Sequence, residues 1–317
     1  MSSPRVCVAV INYNGRPFLD ELLESLRAQS ETRFETILVD NASQDGSAQY
    51  VGQNFPRVRV LSLPQNLGFS RAVNLAARET GAEFLATLNT DLKLEPTWLK
   101  ALLKVATQDE SVAAVASKLR LYHQPTVLNG VGGAMNQLGY TWDLGMFEED
   151  EGQYDQSREV LFASAGAALF RRSVFLESGG FDEGLFMYHE DVDLCWRFWM
   201  LGFRVLTAPA AVAYHHFGAS TQAHQGMAWR ELMGERHNIR ALLKNYEASN
   251  LRSALWGLLK RPQSPLRKWN QCKNFFWNLR KLPDTLKRRK WNQDRRRRSD
   301  AELQFLIIQS NDVPIRL

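Results

Sequence analysis

Short polar side chains follow four segments whose apolar patterns predict buried strands, at residues 5–12, 35–40, 58–63 and 84–88. Because the ligands of open α/β sheets bind beyond the carboxyl ends of the strands, we expect the four groups to lie at one ligand-binding edge. Each group alone would also suit a turn or a helix cap. The groups are Asn12-Tyr13-Asn14-Gly15, Asp40-Asn41, Asn66-Leu67-Gly68-Phe69-Ser70-Arg71 and Asn89-Thr90-Asp91.

Three members of these groups have distinct predicted roles. Asp40 can accept hydrogen bonds from a nucleoside base or ribose, or alternatively cap the next helix. Arg71 lies in the first turn of a helix predicted at residues 70–80, where a guanidinium and backbone N–H groups suit a diphosphate, although a plain turn is the alternative. Asp91 supplies a carboxylate for a hard cation such as Mg²⁺ or Mn²⁺, which would neutralise that diphosphate.

A glycine- and aromatic-rich segment at residues 179–197 contains three carboxylates, Glu190, Asp191 and Asp193, at the start of a helix predicted at residues 191–201. Interaction with the helix dipole would also explain them. Asp191 shares a helical face with apolar residues three, seven and ten positions later, so we expect it to point into the interior or a cleft. It is therefore the candidate general base, with Glu190 as second choice. Asp193 lies about 200° away and can pair with Arg197.

Two adjacent histidines, His215 and His216, follow a strand predicted at residues 204–208. A neutral imidazole can be a second metal ligand or a phosphate contact, although a histidine is more often structural. Successive residues of a strand point to opposite faces, so at most one of the two faces the site.

The remaining periodicity predicts the elements that hold these residues. Helices are predicted at residues 17–26, 97–105 and 227–246, and a fifth strand at residues 112–116. Alternating strands and helices indicate a Rossmann-like α/β fold, with a mixed, mostly parallel sheet flanked by helices. Residues 119–159 are glycine-rich and predicted to be an irregular loop, and strand-like segments resume at residues 158–170. The helix at residues 227–246 is a candidate homodimer contact.

A basic segment at residues 260–298 holds fifteen Lys or Arg residues against two acids, a net charge of +13, so the remainder of this +5 chain carries −8. Basic residues interleaved with aromatics suit an anionic membrane surface, which we favour over nucleic acid or a solvated, partly disordered tail. The chain has no apolar run near the ~18 residues of a spanning helix. With no signal-peptide pattern and no disulfide framework, we expect a cytoplasmic protein. The aromatics are Trp269, Phe275, Phe276, Trp277 and Trp291.

Together these motifs resemble the family-2 glycosyltransferases, in particular the bacterial rhamnosyltransferase-like branch. The resemblance implies a GT-A fold, a divalent cation and inversion at the anomeric carbon. It implies that Asp40 and Asn41 contact the nucleotide, Asp91 the metal and Asp191 the acceptor hydroxyl. Much of the wider family carries Asp-x-Asp at residues 89–91, where this chain has Asn-Thr-Asp. The matching motifs are VAVINYNG (8–15), ILVDNASQDGS (37–47), NLGFSRAVN (66–74), LNTD (88–91), the segment 166–197 and YHHFGAST (214–221).

With one carboxylate of that pattern missing, a second metal ligand becomes important. His215 matches the family's histidine, and His216 is the alternative. The predicted site residues are Asp191 and Glu190 for catalysis, Asp91 and His215 for the metal, and Asn12, Tyr13, Asn14, Asp40, Asn41, Asn66, Gly68, Arg71 and Asn89 for the nucleotide.

The resemblance implies an inverting enzyme that transfers a sugar from a nucleotide-diphosphate donor, such as dTDP-rhamnose, to a glycan or polyprenyl-linked acceptor in cell-surface polysaccharide synthesis. A catalytically inactive nucleotide- or glycan-binding relative is the alternative. We predict a catalytic domain at residues 1–225, with a nucleotide-binding half to about residue 118 and an acceptor-binding half after it. A helical, basic extension would follow at residues 226–317. The expected location is the cytoplasmic face of the inner membrane, as a peripheral protein.

Overall fold

A nine-stranded mixed sheet forms the centre of the protein, and a three-stranded sheet lies beside it. The computed structural model describes residues 4–218, 226–260 and 265–310. The strands are β1 (Val6–Asn12), β2 (Phe34–Asp40), β3 (Val58–Ser62), β4 (Phe84–Asn89), β5 (Leu92–Leu94), β6 (Val112–Leu121), β7 (Gln124–Val131), β8 (Gly133–Asn136), β9 (Thr141–Asp143), β10 (Ala167–Arg171), β11 (Arg204–His215) and β12 (Ile307–Ile308).

The order of the large sheet is β3-β2-β1-β4-β10-β6-β11-β5, and β7 pairs with β6. Strands β1 to β4 are mutually parallel, and β6 is parallel to β11, whereas β10, β5 and β7 run antiparallel to their neighbours. The predicted mixed, mostly parallel sheet is therefore confirmed.

The helices are α1 (Arg16–Arg27), α2 (Ser47–Asn54), α3 (Phe69–Arg78), α4 (Trp98–Ala106), α5 (Arg172–Glu177), α6 (Glu190–Met200), α7 (Gly226–Asn245), α8 (Ala248–Lys260) and α9 (Pro265–Arg295), with 3₁₀ turns at Glu183–Leu185 and Gln304–Leu306.

Strand β1 shows why the sheet is covered on both faces. All seven of its residues are buried, as expected of a central parallel strand that packs against helices on each side. Its alternate side chains enter two separate apolar cores, one containing leucines of α1 and α4 and the other containing residues of α3 and α6. Because parallel strands beside β1 end at the same edge, the polar residues that follow them are brought together.

The prediction of an irregular loop at residues 119–159 is wrong. This stretch contains the end of β6 and all of β7, β8 and β9. Its glycines hid the strand pattern because they serve close packing: a Cβ on Gly133 would lie 2.0 Å from the ring of Phe162. The strand-like prediction at residues 158–170 holds only for its end, where β10 begins, since residues 159–162 make isolated bridges.

The C-terminal extension packs onto this body. Strand β12 pairs with β8 in the small sheet, and α7 packs against α6 and α9. The alternative of a solvated, partly disordered basic segment is therefore wrong for the described part of residues 260–298, most of which is the packed helix α9. The predicted boundary at residue 225 lies outside the described residues, so the division into domains stays a prediction.

A buried network of charges joins α7 to the segment before α6. Asp182 accepts from Arg240 Nε at 2.9 Å and from Lys244 Nζ at 2.5 Å, and Asp193 pairs with Lys244 at 2.8 Å. These side chains are at most 1% exposed. Burial alone would raise the pKa of Asp182, but Lys244 and Arg240 outweigh it and hold that pKa well below its usual range. The network thus attaches α7 to α6 and to the segment before it.

We predict that Lys244→Met lowers the free energy of unfolding by about 3–5 kcal/mol, because it leaves two buried carboxylates short of a cation. Lys290→Met is the matched control, since Lys290 is 78% exposed and pairs with an exposed acid. That change should stay within about 1 kcal/mol. Denaturant unfolding measures both, and equal effects would contradict the structural role of the network.

Candidate active site

The residues after β1 and β2 form one hydrogen-bonded cluster. Asn12 lies in register with Asp40, and its Nδ2 donates to Asp40 Oδ1 at 2.6 Å and to Ser43 Oγ at 3.0 Å. Asp40 Oδ2 accepts from the backbone N–H of Ser43 at 3.1 Å. Both carboxylate oxygens of Asp40 therefore hold the loop that follows β2, which agrees with the alternative role of Asp40 as a helix cap. This loop lies at the sheet edge where the nucleotide site is predicted.

The loops after the first three strands are also bonded to each other. The N–H of Gln44 donates to Asn14 Oδ1 at 2.7 Å, and the N–H of Leu67 donates to Asn41 Oδ1 at 3.3 Å. Asn14 has a positive φ of 51°, which an asparagine tolerates better than most residues. The structure thus brings the predicted nucleotide residues of three loops together.

The other predicted nucleotide residues take varied positions. Asn66 Oδ1 accepts from the N–H of Gly68 at 2.9 Å, which shapes the turn into α3. Tyr13 is 39% exposed and is the most open of the group after β1. Arg71, predicted to bind a diphosphate, pairs with Glu183 at 3.1 Å while staying half exposed. A diphosphate would therefore have to compete with Glu183 or bind the other N–H groups of the Arg71 guanidinium.

The residues Ala165 and Gly166 link the end of β4 to the start of α6. The N–H of Asn89 donates to the Gly166 carbonyl at 2.9 Å, and the N–H of Ala165 donates to Asp191 Oδ2 at 3.0 Å. A Cβ on Gly166 would lie 3.1 Å from Asn89 Nδ2, so a glycine permits this close contact. The link places Asp191 beside the strand end that carries Asp91.

Asp91 and His215 are neighbours, as the metal prediction requires. His215 Nε2 lies 3.5 Å from Asp91 Oδ1, and His215 Nδ1 lies 2.6 Å from Asn129 Oδ1. His216 points elsewhere, with its ring stacked on Tyr122 at a centroid distance of 3.6 Å. The strand alternation that separates the two histidines is the expected one.

This pair fits a divalent cation in part. With Nδ1 donating to Asn129 Oδ1, His215 would offer the lone pair of Nε2 to a cation beside Asp91, as in metal-binding histidines. The described ranges contain no cluster of three or more His, Cys, Asp or Glu side chains able to hold a metal. Two protein ligands plus phosphate oxygens are a usual arrangement for Mg²⁺. The donor set therefore suits an ion that arrives with a nucleotide.

The two candidate catalytic carboxylates are held in a poorly solvated place. Asp191 accepts from the N–H groups of Ala165 and Val192, at 3.0 and 2.8 Å, but burial outweighs these bonds and raises its pKa. Burial, and then the charge of Asp191, raise the pKa of Glu190 well above its usual range. Glu190 Oε2 is buried with no hydrogen-bond partner among the described residues.

Asp193 has a different environment from the two acids before it. Its predicted pairing with Arg197 is confirmed, at 3.0 Å, but its side chain is 0% exposed and also contacts Lys244. Burial alone would raise the pKa of Asp193, but Lys244 and Arg197 lower it. Asp193 is therefore an ionised anchor of α6.

The segment just before α6 has an unusual backbone. Phe186, Tyr188 and His189 all have positive φ angles, between 52° and 71°, and such strain concentrates at functional sites. The Tyr188 carbonyl lies 2.9 Å from Nδ1 of His237 on α7, which holds the segment from one side. On the other side, a Cβ on Gly68 would lie 2.5 Å from the Phe186 carbonyl oxygen.

Asp143, at the end of β9, was missed because its stretch was predicted to be a loop. Its Cβ packs closely on Gly130, next to the residue that contacts His215. Burial, and then the charge of Asp191, raise the pKa of Asp143 to about 7, while Arg230 and His215 oppose them. Recognising Thr141–Asp143 as a strand would have drawn attention to Asp143, because this aspartate ends that strand.

The sequence profile of Glycosyl transferase family 2 matches residues 7–179. An N-acetylglucosaminyl-diphospho-decaprenol L-rhamnosyltransferase of Mycobacterium tuberculosis is 31% identical over 237 residues, covering 68% of this chain and 76% of that protein. The chain belongs to glycosyltransferase family 2. The O-antigen biosynthesis protein RfbC of Myxococcus xanthus is 30% identical over 70% of this chain, which spans only 18% of RfbC.

Solved structures confirm the GT-A fold of this family-2 glycosyltransferase. GalNAc-T7, crystallised with UDP, GalNAc and Mn²⁺, is similar with a TM-score of 0.65 at 14% identity, covering 92% of this chain and 56% of that one. The mannosyltransferase PcManGT of Pyrobaculum calidifontis, in complex with GDP-Man and Mn²⁺, has a TM-score of 0.57 at 18% identity and covers 92% of this chain and 86% of its own.

The contact between Gly68 and the segment before α6 makes a prediction for this glycosyltransferase. Gly68→Ala should lower the free energy of unfolding by about 2–4 kcal/mol, because the cost of a positive φ and the cost of a clash with the Phe186 carbonyl oxygen are both incurred. Gly202→Ala has a positive φ too, but its nearest neighbour is 3.8 Å away, so it should lose only about 1–2 kcal/mol. Denaturant unfolding measures both variants. Equal losses of unfolding free energy in the two would show that the contact with the Phe186 carbonyl oxygen adds no cost.

Proposed function

We propose that this protein is an inverting, metal-dependent glycosyltransferase that transfers a sugar from a nucleoside-diphosphate donor to a hydroxyl of a glycan or lipid-linked acceptor. The observation that carries the proposal is the link through Ala165 and Gly166. It holds a desolvated carboxylate, Asp191, beside the strand end that carries Asp91 and its partner His215. This link supports a site in which a base for the acceptor and ligands for the leaving diphosphate would lie near each other.

The reaction balances with these groups. The acceptor hydroxyl attacks the anomeric carbon from the face opposite the diphosphate, its proton passes to Asp191, and the bond from the anomeric carbon to the diphosphate oxygen breaks. A divalent cation held by Asp91, His215 and the donor phosphates would neutralise the negative charge that develops there. No acid is needed, since the nucleoside diphosphate is already a good leaving group.

The donor and acceptor are proposed from the relatives. The Mycobacterium tuberculosis relative is named for rhamnosyl transfer to a decaprenol-linked sugar, so we propose L-rhamnose from its thymidine diphosphate and a polyprenyl-linked acceptor. The reaction would serve cell-surface polysaccharide synthesis at the cytoplasmic face of the inner membrane. Among the described residues, no helix is long and apolar enough to cross a bilayer. The homodimer contact through α7 stays a prediction.

Asp143 has a proposed role in the same site. The transition state of glycosyl transfer carries positive charge on the sugar ring, as in glycoside hydrolysis. A carboxylate beside Asp191 would stabilise that charge and accept a hydrogen bond from a sugar hydroxyl. With its pKa raised to about 7 by burial and the charge of Asp191, Asp143 would be only partly ionised near neutral pH.

The first prediction for this function concerns donor binding, measured by calorimetry with a panel of nucleotide sugars. One donor should bind with micromolar affinity in the presence of Mn²⁺ or Mg²⁺ and much more weakly without them. Asp91→Ala and His215→Ala should each weaken metal-dependent binding by at least about 10–100-fold, because each removes a ligand and the loss of a residue that merely supports a ligand already costs that much.

His216→Ala is the matched control for His215, since the His216 ring stacks on Tyr122 and its Nε2 lies 3.2 Å from Glu21. Donor affinity should be unchanged in this variant. If no nucleotide sugar binds the wild type under any condition, the inactive binding relative becomes the better account. If His216→Ala is the weaker binder, the assignment of His215 is wrong.

The second prediction concerns pH. The base must be ionised, so kcat/KM should rise with pH through the pKa of Asp191, which burial places above the usual aspartate value of about 3.9. A second rise should occur near pH 7 as Asp143 ionises. In Asp143→Asn the step near pH 7 should disappear while the lower step remains.

Two further variants separate the candidate bases. Asp191→Asn should lower kcat by about 10²–10⁴-fold, because general base catalysis is lost. Glu190→Gln should retain more activity and keep the lower step of the pH profile. The reverse ranking would make Glu190 the base, and an unchanged step near pH 7 in Asp143→Asn would exclude Asp143 as its source.

A further inference from the structure

Helix α9 turns polar side chains toward the rest of the protein and large apolar side chains outward, which is the opposite of an ordinary surface helix. The side chains that it buries are polar: Asn274 is 1% exposed, Asn278 5%, Thr285 0% and Asn292 4%. At 100° per residue these four lie within about 40° of one line along the helix, so they form a single face. A surface helix of a globular protein normally turns its apolar stripe toward the core.

This polar face is held by hydrogen bonds to α7. Asn278 Nδ2 donates to the Arg236 carbonyl at 3.1 Å, and Arg240 Nη1 donates to Thr285 Oγ1 at 2.5 Å. Further along, Asn292 Nδ2 donates to Asn245 Oδ1 at 2.7 Å. Rotating the helix to bury its apolar residues would break these bonds, so the orientation of α9 is well determined.

The outward face of α9, defined here by Trp269, Phe275, Phe276, Leu279 and Leu286, is correspondingly apolar. These side chains are between 51% and 67% exposed. A single exposed apolar residue is ordinary, but a row of large ones along one helix marks an interaction surface.

A row of cations runs beside the outward face. Lys273, Arg280 and Lys287 follow each other at seven-residue intervals and are all exposed, so they lie along one line of the helix. The acids of α9 do not neutralise this row, since Asp284 pairs with Arg240 and Arg288, and Asp294 with Lys290. An apolar stripe with flanking cations is complementary to an anionic lipid surface.

We propose that the outward face of α9 docks this protein on an anionic bilayer, with its aromatic and leucine side chains at the headgroup boundary and Lys273, Arg280 and Lys287 on the headgroups. A second copy of the chain fits less well. Paired outward faces would bring two such cationic rows together, and the apolar seam is interrupted by Pro283 and Lys290, too short for a stable coiled coil.

The docked helix would lie close to the segment before α6, which ends at His189. Trp277 of α9 packs on His237 of α7 with ring centroids 5.5 Å apart, and His237 in turn contacts the Tyr188 carbonyl. Only one helix thus separates α9 from the segment before Glu190, a distance of about 10 Å per packed layer. Delivery of a lipid-linked acceptor by this docking rests on the proposed function, whereas the docking itself does not.

The test is co-sedimentation of the full chain with vesicles of phosphatidylcholine, with or without phosphatidylglycerol. Wild type should bind only the anionic vesicles, and less so at high salt. Combined Phe275→Ser, Phe276→Ser and Leu279→Ser should lower the partition coefficient about tenfold or more, as should combined Lys273→Gln, Arg280→Gln and Lys287→Gln. Phe305→Ser is the matched control, since Phe305 is 62% exposed outside α9, and should bind like wild type.

Equal vesicle binding by wild type and the apolar triple variant would overturn the proposal, as would equal binding to neutral and anionic vesicles. A wild-type dimer in light scattering that the apolar variant converts to monomer, without vesicle binding, would make the face a self-interface instead. Donor calorimetry on the wild type separates the two proposals. A wild type that binds a donor normally but does not bind anionic vesicles refutes the docking alone, and a wild type that docks normally without binding any donor refutes the transferase alone.

Discussion

The interaction on which the site depends is the pairing of two buried carboxylates, Asp182 and Asp193, with Arg240 and Lys244 of α7. Buried ions are tolerated only when their partners are complete. The segment between the two aspartates, which holds three residues with positive φ and both candidate catalytic acids, is therefore fixed at both ends. Since both cations come from α7, the shape of the segment between the two aspartates depends on that helix.

The same network explains how neighbouring carboxylates acquire opposite properties. Asp193 lies on the side of α6 that faces Lys244 and Arg197, and these cations outweigh burial and lower its pKa. Asp191, two residues earlier, accepts a hydrogen bond from Ala165, and there burial raises its pKa instead. Because successive helical positions differ by about 100°, the two aspartates lie about 200° apart around α6, and an ionised anchor and a candidate base occupy nearly opposite sides of one helix. Titratable groups with divergent environments are typical of acid–base sites.

Local pattern was sufficient for one part of the site and not for the other. Strand periodicity placed Asn12, Asp40 and Asn89 at one edge, and strand alternation separated His215 from His216, because both follow from spacing within short segments. Asp143 and the partner of Asp182 were missed, since each depends on contacts between residues far apart in the chain, one across glycine-rich strands and one across 58 residues to Arg240. The fold class was predictable because it too follows from the periodicity of short segments, in this case the alternation of strands and helices.

The orientation of α9 follows from the network as well. Helix α7 uses its inner side to neutralise Asp182 and Asp193, so the groups that it leaves for α9 include the Arg240 guanidinium and the Arg236 carbonyl. Such groups, once buried, require polar partners, and α9 supplies them with Asn278 and Thr285. With its most buried positions committed to hydrogen bonds, α9 turns Trp269, Phe275, Phe276, Leu279 and Leu286 outward. The buried charges that fix the segment before α6 therefore also determine the orientation of α9, and with it the exposure of an apolar face flanked by cations.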